Sequence, residues 1–127
     1  MGYDIYFKKG DTTICSYSRL TELYQAFDCV VTYEEWVEIE RKDLFEAKDY
    51  LQDRIDFYNE EISRLEKVLE GLTNYEDRYA VVKDISEFKQ SLQSCYETKP
   101  MIDMLMEILE QNDFETNQRV PLYGGIF

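Results

Sequence analysis

"TYEEWVEIERKDLFEAKDYLQDRIDFYNEEISRLEKVLEGL", residues 32–72, contains no proline, and its one glycine, Gly71, stands next to the end. Thr32 followed by Glu35 has the form of a capping box, in which hydroxyl and carboxylate satisfy orphan N–H groups at a helix start. Val37, Leu44, Leu51, Tyr58, Leu65 and Leu72 recur every seven residues. Ile55, Ile62 and Leu69 fill the second core position, whereas Arg41 and Lys48 interrupt that row near its start. The pattern predicts one long helix over residues 33–72 with a coiled-coil-like seam. Trp36, Tyr50 and Phe57 lie on an adjoining line, widening the apolar face beyond what one neighbour covers.

The flanking segments supply the neighbours. In residues 1–17, Tyr3, Ile5 and Phe7 alternate with polar positions, and Gly10-Asp11 offers a two-residue turn, so a β-hairpin is predicted. That register sets Phe7 opposite Ile14 and Tyr6 opposite Cys15. Over residues 18–28, Ser18 heads a short helix bearing Leu20, Leu23, Tyr24 and Phe27 at helical spacing. Thr73 and Glu76 repeat the capping-box form, opening a helix over 74–97 with Val81, Ile85, Phe88, Leu92 and Cys95 on one row. The short break before it favours an antiparallel helical hairpin. Pro100 suits the first turn of a last helix over 100–111, which carries Met101, Ile102, Met104, Leu105, Ile108 and Leu109. The tail, 112–127, is apolar enough to dock, as an added strand on the hairpin for instance. Together these segments give one α+β domain, mostly α, with an N-terminal β-hairpin packed on a long helix and an antiparallel helical hairpin.

Length poses a question. Forty helical residues span roughly 60 Å, whereas a globular domain of 127 residues is about 36 Å across. Two resolutions stay open. The helix kinks near Arg41–Asp43, or it shares its seam of Leu44, Leu51, Ile55, Tyr58, Ile62 and Leu65 with a second copy as a homodimer.

Composition narrows the functional classes. The chain has a net charge of −13, yet 44% of its residues are hydrophobic, so it builds a core and repels phosphates. Direct nucleic-acid and anionic-membrane binding are therefore not expected, and the natural partner is a basic surface or none. Cys15, Cys29 and Cys95 are odd in number and widely spaced, which reads as reduced thiols in a cytoplasm, each a small buried hydrophobe. The first residues carry no signal peptide or myristoylation pattern, and no apolar run reaches membrane-spanning length. The sequence contains no histidine. That removes the commonest general base and the usual zinc ligand sets, so neither an enzyme nor a cofactor or metal is expected.

Within the long helix, Glu46, Asp49, Asp53, Asp56 and Glu60 fall at intervals of three and four, forming one acidic stripe. Like charges so spaced repel by a few tenths of a kcal/mol per pair, and a solvated helix usually alternates sign instead. Residues 32–72 carry 13 acidic and 6 basic side chains, net −7, against 4 and 3, net −1, in residues 1–31. The stripe advances about 5 Å per carboxylate along the axis, of the order of phosphate spacing along a nucleic-acid strand. Its plain alternative is the wet side of an amphipathic helix. Of the 11 tyrosines, Tyr24, Tyr50 and Tyr58 belong at the core or its edge, while Tyr33, Tyr75, Tyr79 and Tyr123 stand near element ends.

The stripe in "EAKDYLQDRIDFYNEE", residues 46–61, and the hairpin-plus-helices layout resemble small acidic inhibitor proteins of phages and mobile elements, including anti-CRISPR and other DNA-mimic proteins. That resemblance implies a viral protein that binds the basic groove of a host nucleic-acid-binding protein in the host cytoplasm. The stripe residues would then stand in for phosphates. The competing expectation is a coiled-coil adaptor or assembly protein working through the seam.

Overall fold

The computed structural model describes residues 3–18 and 21–127. Strands β1 (Ile5–Lys9) and β2 (Thr12–Tyr17) form the expected antiparallel hairpin across Gly10-Asp11. Gly10 takes a φ of 60°, the left-handed value that a turn glycine adopts without a Cβ clash. The register differs from the expected one, because Phe7 pairs with Cys15 and Tyr6 with Ser16. A shift between Phe7 and Lys8 leaves Ile14 as the extra residue of a bulge. Helix α1 (Glu22–Phe27) starts later than Ser18 and is capped by Thr21, whose Oγ1 accepts the Tyr24 N–H at 3.3 Å. Leu20, expected on its apolar side, lies outside the described residues.

The main correction concerns residues 33–40. They are not helical, and Thr32 caps nothing. Glu34 sits at a φ of 60°, which no right-handed helix contains. The backbone there bonds to the C-terminal strand instead: Glu34 N–H donates to the Ile126 carbonyl and Ile39 N–H to that of Leu122. Val37–Glu38 form β3, paired with Gly124 and Tyr123. Val37 and Ile39 alternate with Glu38 and Glu40, a period of two, and Ile39 is fully buried. The seven-residue step from Val37 to Leu44 is therefore a coincidence of spacing.

Helix α2 runs from Arg41 to Glu70, beginning where the seam turns polar rather than kinking there. Its working cap is Glu40, whose N–H donates to Asp43 Oδ2 at 2.8 Å. Helix α3 (Tyr75–Glu110) is capped by Asn74, not Thr73, through Oδ1 bonds from the Glu76 and Asp77 N–H groups. The two helices pack antiparallel, and Arg78 secures their connection by donating to the carbonyls of Leu69 and Leu72.

Pro100 lies inside α3 and does not separate two helices as expected. Cys95, Thr98, Ile102, Leu105 and Leu109 are all buried, keeping a three-and-four rhythm straight through it. Burial of that row outweighs the missing N–H and the ring's crowding of the preceding turn. Because an interior proline costs roughly 3 kcal/mol relative to alanine, Pro100→Ala is expected to stabilise the fold. A urea titration checks this, with the midpoint rising.

The tail docks as β4 (Leu122–Ile126), giving an antiparallel sheet of order β2-β1-β4-β3. Ile5, Phe7, Leu122 and Ile126 point to the helical side and join Leu23, Phe27, Leu44, Leu51, Ile102 and Leu105 in one core. A second, smaller cluster of Ile62, Leu65 and Ile85 lies farther along the helical hairpin. At 1.5 Å per residue the 30 residues of α2 span about 45 Å, so the hairpin extends past the sheet. Among the described residues, no helix is long and apolar enough to cross a membrane.

Candidate protein-binding surface

Helical geometry sets the two faces of α2. Leu44, Leu51, Ile55, Tyr58, Ile62 and Leu65 are all buried. Counting 100° per residue, Glu46, Asp49, Asp53, Asp56 and Glu60 point about 180° away from that row. All five are exposed. The row spans about 21 Å from Glu46 to Glu60 at 1.5 Å per residue.

Most of the basic residues near this row are engaged elsewhere. Lys48 reaches across to α3 and pairs with Asp103 at 2.8 Å. Arg54 Nη2 donates to the Tyr58 hydroxyl at 2.7 Å, and its guanidinium lies 4.7 and 5.0 Å from the Tyr58 and Phe57 ring centroids. That hydrogen bond raises the Arg54 pKa and fixes the cation away from the stripe. Arg64 pairs with Glu61 at 2.7 Å. Gln52 donates to Asp56 at 3.0 Å and accepts from Lys99 Nζ at 2.9 Å, so Lys99 approaches the row through a neutral amide without pairing with a stripe carboxylate. Among the described residues, none of the five stripe carboxylates takes part in an ion pair.

The expected oligomerisation seam is occupied within the chain. Its six residues face α3, α1 and the sheet. A second copy would reach them only by displacing α3, so an adaptor working through this seam would first have to open its own core. Comparison with family profiles, curated proteins and solved structures finds no match for this chain.

The remaining chemistry is sparse. Among the described residues, no three metal-ligating side chains converge on one point. A cleft of about 480 Å³ between α2 and α3 brings Arg54, Arg64, Asp84 and Glu87 together, and its two positive and two negative charges offset one another. Burial, reinforced by Glu22, pushes the Cys95 thiol up to about 11, and burial raises that of Cys15. Cys29 is exposed, contrary to the expectation of three buried thiols. Tyr24 and Tyr58 are core residues as expected, Tyr33, Tyr75 and Tyr79 are exposed, and Tyr123 is half-buried. Trp36, read as part of the long helix, instead lies over the sheet, and with it a surface that helical periodicity could not reveal. The usable signal was the alternation of residues 36–40.

Proposed function

We propose that this protein is a stoichiometric protein-binding inhibitor that presents the acidic face of α2 to the basic groove of a nucleic-acid-binding protein. The supporting observation is the exposed row Glu46, Asp49, Asp53, Asp56 and Glu60, which no ion pair among the described residues neutralises. Leaving five carboxylates in line costs a few tenths of a kcal/mol per neighbouring pair. A cationic groove would recover that cost and be steered to the face at long range. The likeness to DNA-mimic inhibitors of phages supplies the setting, an anti-defence factor acting on a host protein in its cytoplasm.

Salt titration of the complex tests the reading. Binding to a captured partner is expected to weaken about tenfold or more between 50 and 200 mM salt, as for a row of phosphate-like contacts. Duplex DNA is expected to displace the protein from the same site. Affinity unchanged by salt and by DNA would reject it.

A further inference from the structure

The sheet has a second face, turned away from the helices. Strand alternation puts Tyr6, Lys8, Tyr123 and Glu38 there, since Lys8 pairs with Tyr123 and Tyr123 with Glu38. The chain covers this face thinly. The Phe127 ring and the Glu35 carbonyl lie over Gly125, where a Cβ would come within 2.5 Å of each. Trp36 stacks obliquely on Phe127 at 4.7 Å, and Tyr6 meets Phe127 at 6.2 Å. Tyr3 and Tyr33, packed edge to face at 5.4 Å, belong instead to the helical side, where the Tyr33 hydroxyl lies 2.9 Å from that of buried Tyr24. Trp36 and Phe127 remain 37% exposed, so this is an aromatic surface rather than a closed core.

Two further observations identify what such a surface takes. Lys8 Nζ lies 4.4 Å from the Trp36 centroid and 5.3 Å from that of Tyr123, so these rings already solvate a cation. Around them stand Asp4, Glu34, Glu35 and Glu38, and among the described residues none of the four takes part in an ion pair. Glu34 holds a left-handed φ of 60°, a cost of about 1 kcal/mol or more for a non-glycine residue. Around it the chain turns Tyr33 toward Tyr24 of α1 and Trp36 toward Phe127 on the outer face.

We infer that this outer face is a docking surface for an arginine-bearing segment of a partner protein, whose guanidinium groups stack on Trp36 and Phe127 and pair with Glu35 and Glu38. A planar guanidinium both stacks and forks to carboxylates, which an ammonium does less well. Four carboxylates against one engaged lysine oppose the alternative use of an aromatic sheet, stacking of single-stranded nucleic acid. The inference is independent of the α2 stripe.

Trp36 is the only tryptophan, so its emission and indole N–H signal report on this face directly. The probes are hexa-arginine amide, hexa-lysine amide and a ten-nucleotide oligothymidylate, each titrated into the intact protein. Hexa-arginine is expected to change Trp36 emission saturably, and to bind at least threefold more tightly than hexa-lysine at this site. The exposed pair Glu35→Gln/Glu38→Gln is expected to weaken it about fivefold or more while the melting curve holds. Asp49→Lys/Asp53→Lys/Asp56→Lys is expected to leave the Trp36 response in place. The inference fails if hexa-arginine leaves Trp36 unchanged, or if the glutamine pair binds like the parent. It fails equally if the stripe variant abolishes the response, or if the oligothymidylate alone produces it.

Discussion

Leu51→Asp is expected to leave the chain unfolded in water, whereas Ile62→Asp is expected to open only the far part of the helical hairpin. Leu51 is fully buried in the main core, which ties α2 to α1, α3 and the sheet. An unpaired carboxylate there costs several kcal/mol on top of the lost packing. Against a total stability of about 5–15 kcal/mol for a domain, that is enough to abolish folding. Ile62 belongs to the smaller cluster with Leu65 and Ile85, flanked by Leu69 and Val81 and, among the described residues, joined to the main core only through half-buried Phe88 and Leu92. Fewer buried partners mean a lower local opening energy. Hydrogen exchange distinguishes the two cases. In the unaltered protein, amides of residues 62–85 are expected to exchange before those of 44–58. In Ile62→Asp, protection is expected to vanish from the first set and persist in the second. Loss of protection throughout Ile62→Asp would show that the molecule has a single undivided core, and a folded Leu51→Asp would show that the main core does not hold the fold together.

Gly125→Val is expected to cost about 3 kcal/mol, while Gly71→Ala is close to neutral. A Cβ at Gly125 meets the Glu35 carbonyl oxygen and the Phe127 ring at 2.5 Å, and the backbone partner cannot rotate aside. Since β4 lies between β1 and β3, relieving the clash disturbs both pairings. At Gly71 the nearest atom is 3.7 Å away, an ordinary contact. Urea titration followed by Trp36 emission gives both midpoints. Equal midpoints for the two variants would mean that the segment over Gly125 is not held against the sheet.

The sequence reveals an element where its rhythm belongs to that element alone. Leu51, Ile55, Tyr58, Ile62 and Leu65 mark α2 correctly, because burial on one side of a helix imposes that spacing and no other. Gly10-Asp11 marks the hairpin turn for a similar local reason. Val37 misleads because one residue satisfies two periods, and its partner, Gly124, lies 87 positions away by number (124 − 37). The β4 pairing that claims residues 33–38 is a long-range event that no local pattern encodes. Pro100 misleads in the opposite sense. A local rule ends the helix there, but the continuing row through Thr98, Ile102 and Leu105 overrides it. The stripe was readable because exposure follows from the same helical phase that buries the seam. Its lack of neutralising partners was not, since Lys48 and Arg54 turn away only because Asp103 and Tyr58 are placed to receive them.

The most direct test of the proposed inhibitor reading is reversal of Asp49, Asp53 and Asp56 to lysine, with folding and partner binding measured on the same sample. All three side chains are exposed, so each change is expected to move stability by no more than about 0.5 kcal/mol, and relief of like-charge crowding offsets part of that. Affinity for the basic partner is expected to fall about 100-fold or more as a row of attractive contacts turns repulsive. A folded triple variant that binds its partner as tightly as the parent would contradict the proposal and leave the stripe as a solvated helix face.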